Sequence, residues 1–167
     1  MPRLCPVRLR FVASWSELAT QAPDLATAIQ ARFGAHIHAV LATLRRDGSP
    51  RLSGLETRFS DGELWLAMMP DARKAVDLRR DPHFALHSAP EAELVDGDAK
   101  LNGLAVEVTD AATIERFTGA LPQPPPPSGV GLFRTDITDA ALTRVQGDEL
   151  VIDSWRDGGA PRQTRRQ

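Results

Sequence analysis

The chain has 167 residues, of which 42% are hydrophobic, and its formal net charge is −2. This length and composition suit one globular domain with a buried core and argue against intrinsic disorder. The nearly balanced charge disfavours a general nucleic-acid binder. No apolar run reaches the roughly 18 residues that a transmembrane helix needs, so no membrane partner is expected.

The first residues are basic but do not have the pattern of a signal peptide. Pro6, Arg8 and Arg10 interrupt the apolar run that such a signal requires, so a cytoplasmic location is predicted. Cys5 is the only cysteine, which excludes an intrachain disulfide and a cysteine-based metal cluster. We interpret residues 1–13 as a partly mobile leader, and a nucleophilic role for Cys5 is not favoured there.

Two short helices are predicted before the first strand. Ser14 begins a capping-box pattern for a helix that ends near Gln21. Pro23 suits the first turn of a second helix over 24–33, which Gly34 would stop. The apolar stripe of this second helix indicates that both helices cover a sheet.

Three strands follow, separated by two Asp-Gly turns that predict tight hairpins. The first strand begins at Ile37 and is apolar on both faces, as is typical inside a barrel or beneath helices or a partner subunit. The second strand opens with Arg51 and Ser53, which share one face because they are two residues apart. Gly54 beside them has no side chain and would let a flat ligand approach the backbone. An exposed edge with ordinary polar residues is the alternative for this pair.

A short basic helix is predicted next, in PDARKAVDLRRDP, with Asp71 as its N-cap and Pro82 just beyond its end. Arg73 and Lys74 fall in its first turn, where the helix dipole disfavours cations. Unpaired backbone N–H groups and two cations together would suit a phosphate. The alternative is a solvated surface helix whose basic residues simply face water.

The histidines show no metal-ligand spacing on a helix, and the chain contains none of the common nucleotide, hydrolase or metalloprotease motifs. His38 lies within an apolar strand and is interpreted as a hydrogen-bonded core residue. His87 ends the strand that follows the basic helix and is interpreted as a residue that lines a pocket. His36 and His83 receive no role.

The next part of the chain continues with a strand and a helix. A strand is predicted over 98–109, with Gly103 at a bend or bulge, and a helix over 110–121. The proline-rich stretch 122–131 predicts an extended spacer at the surface. Its PPPP run could alternatively dock in an aromatic groove of another protein.

The last segments predict three strands, over 132–138, 142–145 and 149–155, and a polar, disordered tail over 157–167. The whole pattern has about seven short strands, three or four small helices and no βαβ alternation. It predicts one mainly β domain over 14–156, an antiparallel barrel with peripheral helices.

These residues, taken in order, resemble the pyridoxamine 5′-phosphate oxidase-like family of FMN-binding split barrels. The matching segments are AVLATLRRDGSPRLSGL, ELWLAMMPDARKAVDLRRDPHFAL, GDAKLNGLAVEVTD and LFRTDITDAALTRV with DELVIDSW. The resemblance implies an antiparallel split β-barrel that dimerises with itself and holds FMN at the dimer interface. A small molecule would be the substrate or the electron donor.

The resemblance also implies a set of cofactor-binding residues. They are Arg51, Leu52, Ser53, Gly54, Leu55, Ala67, Met68, Arg73, Lys74, His87 and Trp155. The polar pair of the second strand and the two cations of the basic helix would surround the phosphate. The remaining residues would lie along the isoalloxazine ring or reach it from the other side.

Several departures leave the substrate open. The chain has no tyrosine and no clear basic cluster near its C-terminus for the phosphate of a pyridoxal substrate. Glu56 would place a carboxylate where it repels a reduced, anionic flavin. Vitamin B6 oxidation is therefore not expected, and no catalytic residue is assigned.

Two alternatives stay open at this stage. A deazaflavin could replace FMN, in which case Arg79 and Arg80 could belong to a basic groove for a polyglutamate tail. We prefer to interpret these arginines as helix C-terminal cations that the dipole favours. The second alternative is a non-catalytic barrel that binds flavin, haem or nothing and acts through protein contacts.

Overall fold

The structure is a computed structural model that describes residues 12–167. The predicted leader therefore lies almost entirely outside the described residues, as does Cys5. The described end of that segment is part of the fold, because Ala13 is buried and forms a bridge with Ile137. The two N–H···O bonds of this bridge measure 2.9 and 2.7 Å.

Four helices and eight strands make up the described chain. The helices are α1 (Trp15–Gln21), α2 (Pro23–Gly34), α3 (Arg73–Arg80) and α4 (Ala111–Gly119). The strands are β1 (His38–Leu44), β2 (Pro50–Ser60), β3 (Glu63–Met68), β4 (His83–His87), β5 (Asp98–Glu107), β6 (Gly131–Gln146), β7 (Glu149–Arg156) and β8 (Arg162–Arg166).

The strands form one antiparallel sheet in the order β3-β2-β1-β4-β5-β6-β7-β8. β3 also pairs with β6, which closes the first six strands of this order into a barrel. The long strand β6 pairs with β3 at its beginning and with β7 at its end, so β7 and β8 extend beyond the closed part. The predicted split-barrel fold with peripheral helices is confirmed.

Local signals at the helix starts are confirmed at α1 and α2 but not at α3. Ser14 forms the capping box, accepting from the Glu17 N–H and donating its own N–H to the Glu17 carboxylate at 2.7 Å. Pro23 begins α2, although Gly34 is its last residue and does not follow it. The prediction of Asp71 as the N-cap of α3 is wrong. The N-cap is Ala72, whose N–H closes a turn onto the Met69 carbonyl oxygen at 3.0 Å, so no side chain caps α3.

Two predicted segments near the C-terminus are also corrected. β6 is one continuous strand of 16 residues where two were predicted, because its middle residues pair with both β5 and β7. The tail predicted to be disordered contains β8, which pairs with β7. Ion pairs and amide contacts hold this fully exposed strand, among them Gln163 to Asp153 at 2.7 Å and Arg165 to Glu149 at 2.8 Å.

The barrel interior and the sheet face beneath α1 and α2 form the main hydrophobic core. A second, smaller core forms where α4 covers Trp65 and Leu132 with Phe117. The bulge predicted at Gly103 is confirmed by a register shift between β5 and β6 at that residue. The predicted core position of His38 is wrong, because its side chain is 69% exposed and lies 3.8 Å from Glu56. None of the helices between residues 12 and 167 is long and apolar enough to cross a bilayer.

Candidate functional site

Arg51 and Ser53 project from the same face of β2, as the alternation of the strand predicts. Arg51 is opposite Thr43 and Ser53 is opposite Leu41 in the pairing with β1. Both β1 residues are buried, so this is the inner face of the barrel. α3 packs against β1, which places Arg51 at the end of the barrel that this helix covers.

A buried carboxylate on α3 contacts Arg51. Asp77 accepts a hydrogen bond from Arg51 Nε at 2.6 Å and another from the hydroxyl of Thr43 at 2.9 Å. Arg80 lies 3.4 Å from the second carboxylate oxygen. Burial would raise the pKa of Asp77, but the hydrogen bonds from Arg51 and Thr43 and the charges of Arg51 and Arg80 hold it below its usual range.

Asp77 was missed in the sequence, although a signal was present. It lies between Ala75 and Leu78, both of which are buried, so the acid belongs to the packed face of an otherwise basic helix. A carboxylate at such a position must find cationic or hydroxyl partners, because burying an unpaired charge is costly. Its partners come from β1 and β2, which the sequence alone does not bring to α3.

We expect Asp77 to make stability depend on pH. Because its pKa is lower in the folded state than in the unfolded chain, its ionised form stabilises the fold above the unfolded pKa of about 4. This stabilisation is lost as the pH falls through the folded pKa. The difference in unfolding free energy between the wild type and Asp77→Asn should therefore be largest at neutral pH and shrink in acid, as measured by urea denaturation from pH 7 to pH 3.

Asp148→Asn is a suitable control for this measurement. Asp148 is exposed between β6 and β7 and has no hydrogen-bond or ion-pair partner among residues 12–167. Its replacement should change stability little at any pH. If the difference in unfolding free energy between the wild type and Asp77→Asn stayed constant from neutral pH into acid, the assigned direction of the pKa shift would be contradicted.

The first turn of α3 supplies the other cations. Lys74 is half-buried and donates from Nζ to the carbonyl oxygen of Gly54 on β2, and burial lowers the pKa of its ammonium group. Arg73 is exposed and has no hydrogen-bond or ion-pair partner in the described part of the chain. Because α3 has no side-chain cap and no acid in its first turn, its first backbone N–H groups are also left for an anion.

This arrangement fits a phosphate monoester. Arg51 uses only Nε toward Asp77, and its two terminal nitrogens bond to no other residue within 12–167. Its side chain is 25% exposed, so these donors can reach a ligand. Arg51 and Arg80 both contact the Asp77 carboxylate, and Arg73 and Lys74 add two further cations in the first turn of the same helix, which suits a doubly negative group.

Three predicted ring-contacting residues lie on the outer face of the barrel. Leu52 is 72% exposed, and a Cβ added at Gly54 would meet no atom within 4 Å. Gly54 and His87 both pair with Val40, so they lie in one row across three strands. His87 donates from Nδ1 to the Ser88 carbonyl oxygen at 2.6 Å. The structure therefore groups these residues on one open face of the sheet.

The other predicted site residues are taken up by packing within the chain. Leu55 and Met68 belong to the main core, and Ala67 packs against the smaller core under α4. Trp155 is 2% exposed, and its indole N–H lies 3.3 Å from the Gln21 side-chain oxygen of α1. The structure does not group Trp155 with Arg51 and Lys74.

The family model described as pyridoxamine 5′-phosphate oxidase matches residues 25–144. The chain belongs to the pyridoxamine 5′-phosphate oxidase family. The match spans most of the barrel and includes the whole cationic cluster around α3. Trp155 and the strands β7 and β8 lie beyond it.

Solved structures from this family and its relatives share the fold. A pyridoxamine 5′-phosphate oxidase-related, FMN binding protein from Nostoc punctiforme PCC 73102 superposes with a TM-score of 0.66 at 14% identity, covering 91% of this chain and 99% of that one. PhzG from Burkholderia lata 383, in complex with tetrahydrophenazine-1-carboxylic acid, gives 0.63 at 15% identity, covering 90% and 92%.

A third similar structure is General Stress Protein 26 from Bacillus anthracis str. Sterne. Its TM-score is 0.55 at 20% identity, covering 70% of this chain and 91% of that one. At these identities the likeness establishes the shared fold of the pyridoxamine 5′-phosphate oxidase family. A search of curated protein sequences gave no match.

Proposed function

We propose that this protein is a flavin-dependent oxidoreductase that binds FMN through its phosphate at the interface of a homodimer. The observation that supports the proposal is that Arg51 of β2 contacts Asp77 on α3, while Lys74 in the uncapped first turn of α3 contacts Gly54 on β2. Bound there, the flavin would supply the redox chemistry, while the chain binds and orients it and shapes the pocket for a small molecule.

The cluster offers enough interaction energy for this role. Each hydrogen bond between a cation and a phosphate oxygen contributes about 1.5–3 kcal/mol. Several such bonds together are ample for micromolar affinity, which corresponds to about 8 kcal/mol, even after the cost of association is subtracted. Ser53 lies two residues from Arg51 on the same face of β2, and its hydroxyl would be a further donor in this proposal.

The outer face of the barrel supports the proposed homodimer. Leu52 and Ala85 are exposed there, and Ala42, which pairs with both of them, is only half-buried. Small apolar residues on a flat sheet face suit close contact with another sheet, and a second copy of the chain would cover them. The same face carries Gly54 and His87, so a flavin ring lying there would be enclosed by the partner subunit.

The helix end favours FMN over a deazaflavin. Arg79 donates to both oxygens of Glu107, at 2.6 and 2.9 Å, and to the Pro70 carbonyl oxygen at 2.7 Å. Arg80 donates to the Leu44 carbonyl oxygen as well as contacting the carboxylate on α3. Both arginines are thus engaged within the chain, which leaves little positive charge for a polyglutamate tail.

A comparison of FMN with riboflavin tests the proposal, because riboflavin lacks only the phosphate. We expect the purified protein to bind one FMN per chain with micromolar or tighter affinity, and to bind riboflavin at least about tenfold more weakly, since the phosphate contacts are lost. Fluorescence titration measures both affinities, and light scattering should show a dimer. Protein that binds neither flavin, or binds both equally, would contradict the proposal.

A further inference from the structure

We infer that Asp77 is a positioning residue, whose carboxylate fixes the guanidinium of Arg51 so that its two terminal nitrogens are presented to the phosphate. This inference rests on the proposed function, because it concerns the same phosphate-binding site. Asp77 itself is 3% exposed, so we assign it no direct contact with the phosphate.

The carboxylate of Asp77 is fixed by donors from three different elements. One oxygen accepts from Thr43 on β1 and from Arg51 on β2, and the other lies near Arg80 on α3. With both oxygens occupied and the group buried, the side chain has little freedom to turn. The N–H···O contact of 2.6 Å therefore holds Arg51 Nε at a defined point beneath the helix.

A comparison within the chain distinguishes this contact from an ordinary structural ion pair. Arg79 uses all three guanidinium nitrogens, with Nε and Nη2 on the carboxylate of Glu107 and Nη1 on the Pro70 carbonyl oxygen. Arg51 uses Nε alone. A guanidinium held at its inner nitrogen keeps its outer pair for a bidentate contact, which is the geometry that phosphate recognition favours.

Charge alone and positioning predict opposite effects for the same substitution. If Asp77 acted only through its charge, its removal would make the cluster more positive and tighten FMN binding. If it positions Arg51, its removal releases the guanidinium and weakens the phosphate contact even though a negative charge has gone. Whether Asp77→Asn tightens or weakens FMN binding therefore distinguishes a charge effect from a positioning effect.

Asp77→Asn is the test, with Asp81→Asn as the matched control. Asp81 is the C-cap of the same helix and pairs with His83, so it lacks any contact with Arg51. We expect Asp77→Asn to raise the Kd for FMN about five- to tenfold and to leave the Kd for riboflavin unchanged, while Asp81→Asn changes neither. In an Arg51→Ala background, Asp77→Asn should no longer weaken FMN binding, because no guanidinium is left for Asp77 to position.

The outcomes separate this inference from the proposed function. Failure of the wild type to bind FMN would contradict the proposed function itself. If the wild type binds FMN, then unchanged or tighter FMN binding by Asp77→Asn overturns the positioning role. Equal losses of affinity for FMN and riboflavin would also overturn the positioning role, because they would show general damage to the site.

Thr43→Val provides a second variant in case Asp77→Asn does not fold. It removes the hydroxyl that donates to the same carboxylate oxygen but leaves the ion pair with Arg51 in place. We expect FMN affinity to fall about two- to threefold with riboflavin affinity unchanged. If Thr43→Val binds FMN as the wild type does, the carboxylate does not need its hydroxyl anchor and the inference is wrong.

Discussion

Replacing both Arg51 and Lys74 by alanine is expected to weaken FMN binding by about a hundredfold. Each substitution removes one cation from the phosphate cluster, and the loss of a charge-assisted hydrogen bond of about 1.5 kcal/mol lowers affinity roughly tenfold. The fluorescence titration described above measures the change. Riboflavin affinity should change far less, because the ring contacts remain.

The barrel should stay folded in this double variant. Without Arg51, the carboxylate of Asp77 still accepts from Thr43 and lies near Arg80. Without Lys74, the carbonyl oxygen of Gly54 faces solvent on an exposed part of β2. We therefore expect a loss of only about 1–3 kcal/mol in unfolding free energy, for the weakened buried ion pair. Urea denaturation without flavin measures it.

A control variant must remove the same charge elsewhere. Arg162 and Arg166 begin and end β8, and both are exposed with no side-chain hydrogen bond or ion pair in the part of the chain that the structure describes. Replacing these two by alanine should leave FMN affinity within about twofold, since exposed charges at a distance are screened by salt. If the Arg51→Ala/Lys74→Ala variant bound FMN with the same affinity as the control variant, the phosphate would have to be held elsewhere.

Local turn and cap chemistry made much of the fold predictable from the sequence. The Asp61-Gly62 turn adopts the positive φ angles that a tight hairpin requires, 53° and 74°. Ser14 forms its capping box because both partners lie within one helical turn. Such signals act over three or four residues, so they do not depend on how distant parts of the chain pack.

Features that depend on distant partners were not predictable in the same way. β8 has no apolar face, and only its pairing with β7 shows it to be a strand. Trp155, which the resemblance assigns to the flavin site, is buried, and its indole contacts Gln21 of α1, a residue 134 positions earlier. Nothing in the sequence around either segment indicates these contacts.

The residues of the candidate site also differ in whether they could be predicted from the sequence. Alternation along β2 and the position of Lys74 in the first turn of α3 could be predicted from the sequence, because each is a local property. The acid that holds Arg51 was not predicted, since it requires knowing which face of α3 packs against β1 and β2. In this barrel, the face on which a β2 side chain lies follows from strand periodicity, whereas the contact between Asp77 and Arg51 depends on helix packing.

Gly103→Ala is expected to destabilise the protein by roughly 2–4 kcal/mol, the largest single-residue effect on stability that we predict. Gly103 is buried at the β5 bulge, where an added Cβ would lie 2.1 Å from the carbonyl oxygen of Asp136 and 3.1 Å from the Cα of Ile137. Both are backbone atoms of β6, so no side chain can turn away to make room. The midpoint of urea denaturation, measured without flavin, should fall accordingly.

The destabilisation by Gly103→Ala should not be limited to the β5–β6 contact, because Ile137 also forms two backbone hydrogen bonds with Ala13. Moving β6 outward to accommodate the methyl group strains that bridge and loosens the segment that precedes α1. Gly54→Ala is the matched control on β2, where the added Cβ meets no atom within 4 Å, and its stability should stay within about 1 kcal/mol of the wild type. Equal stability of the two variants would mean that β6 yields at the bulge, and that the close approach at Gly103 does not determine the strand register there.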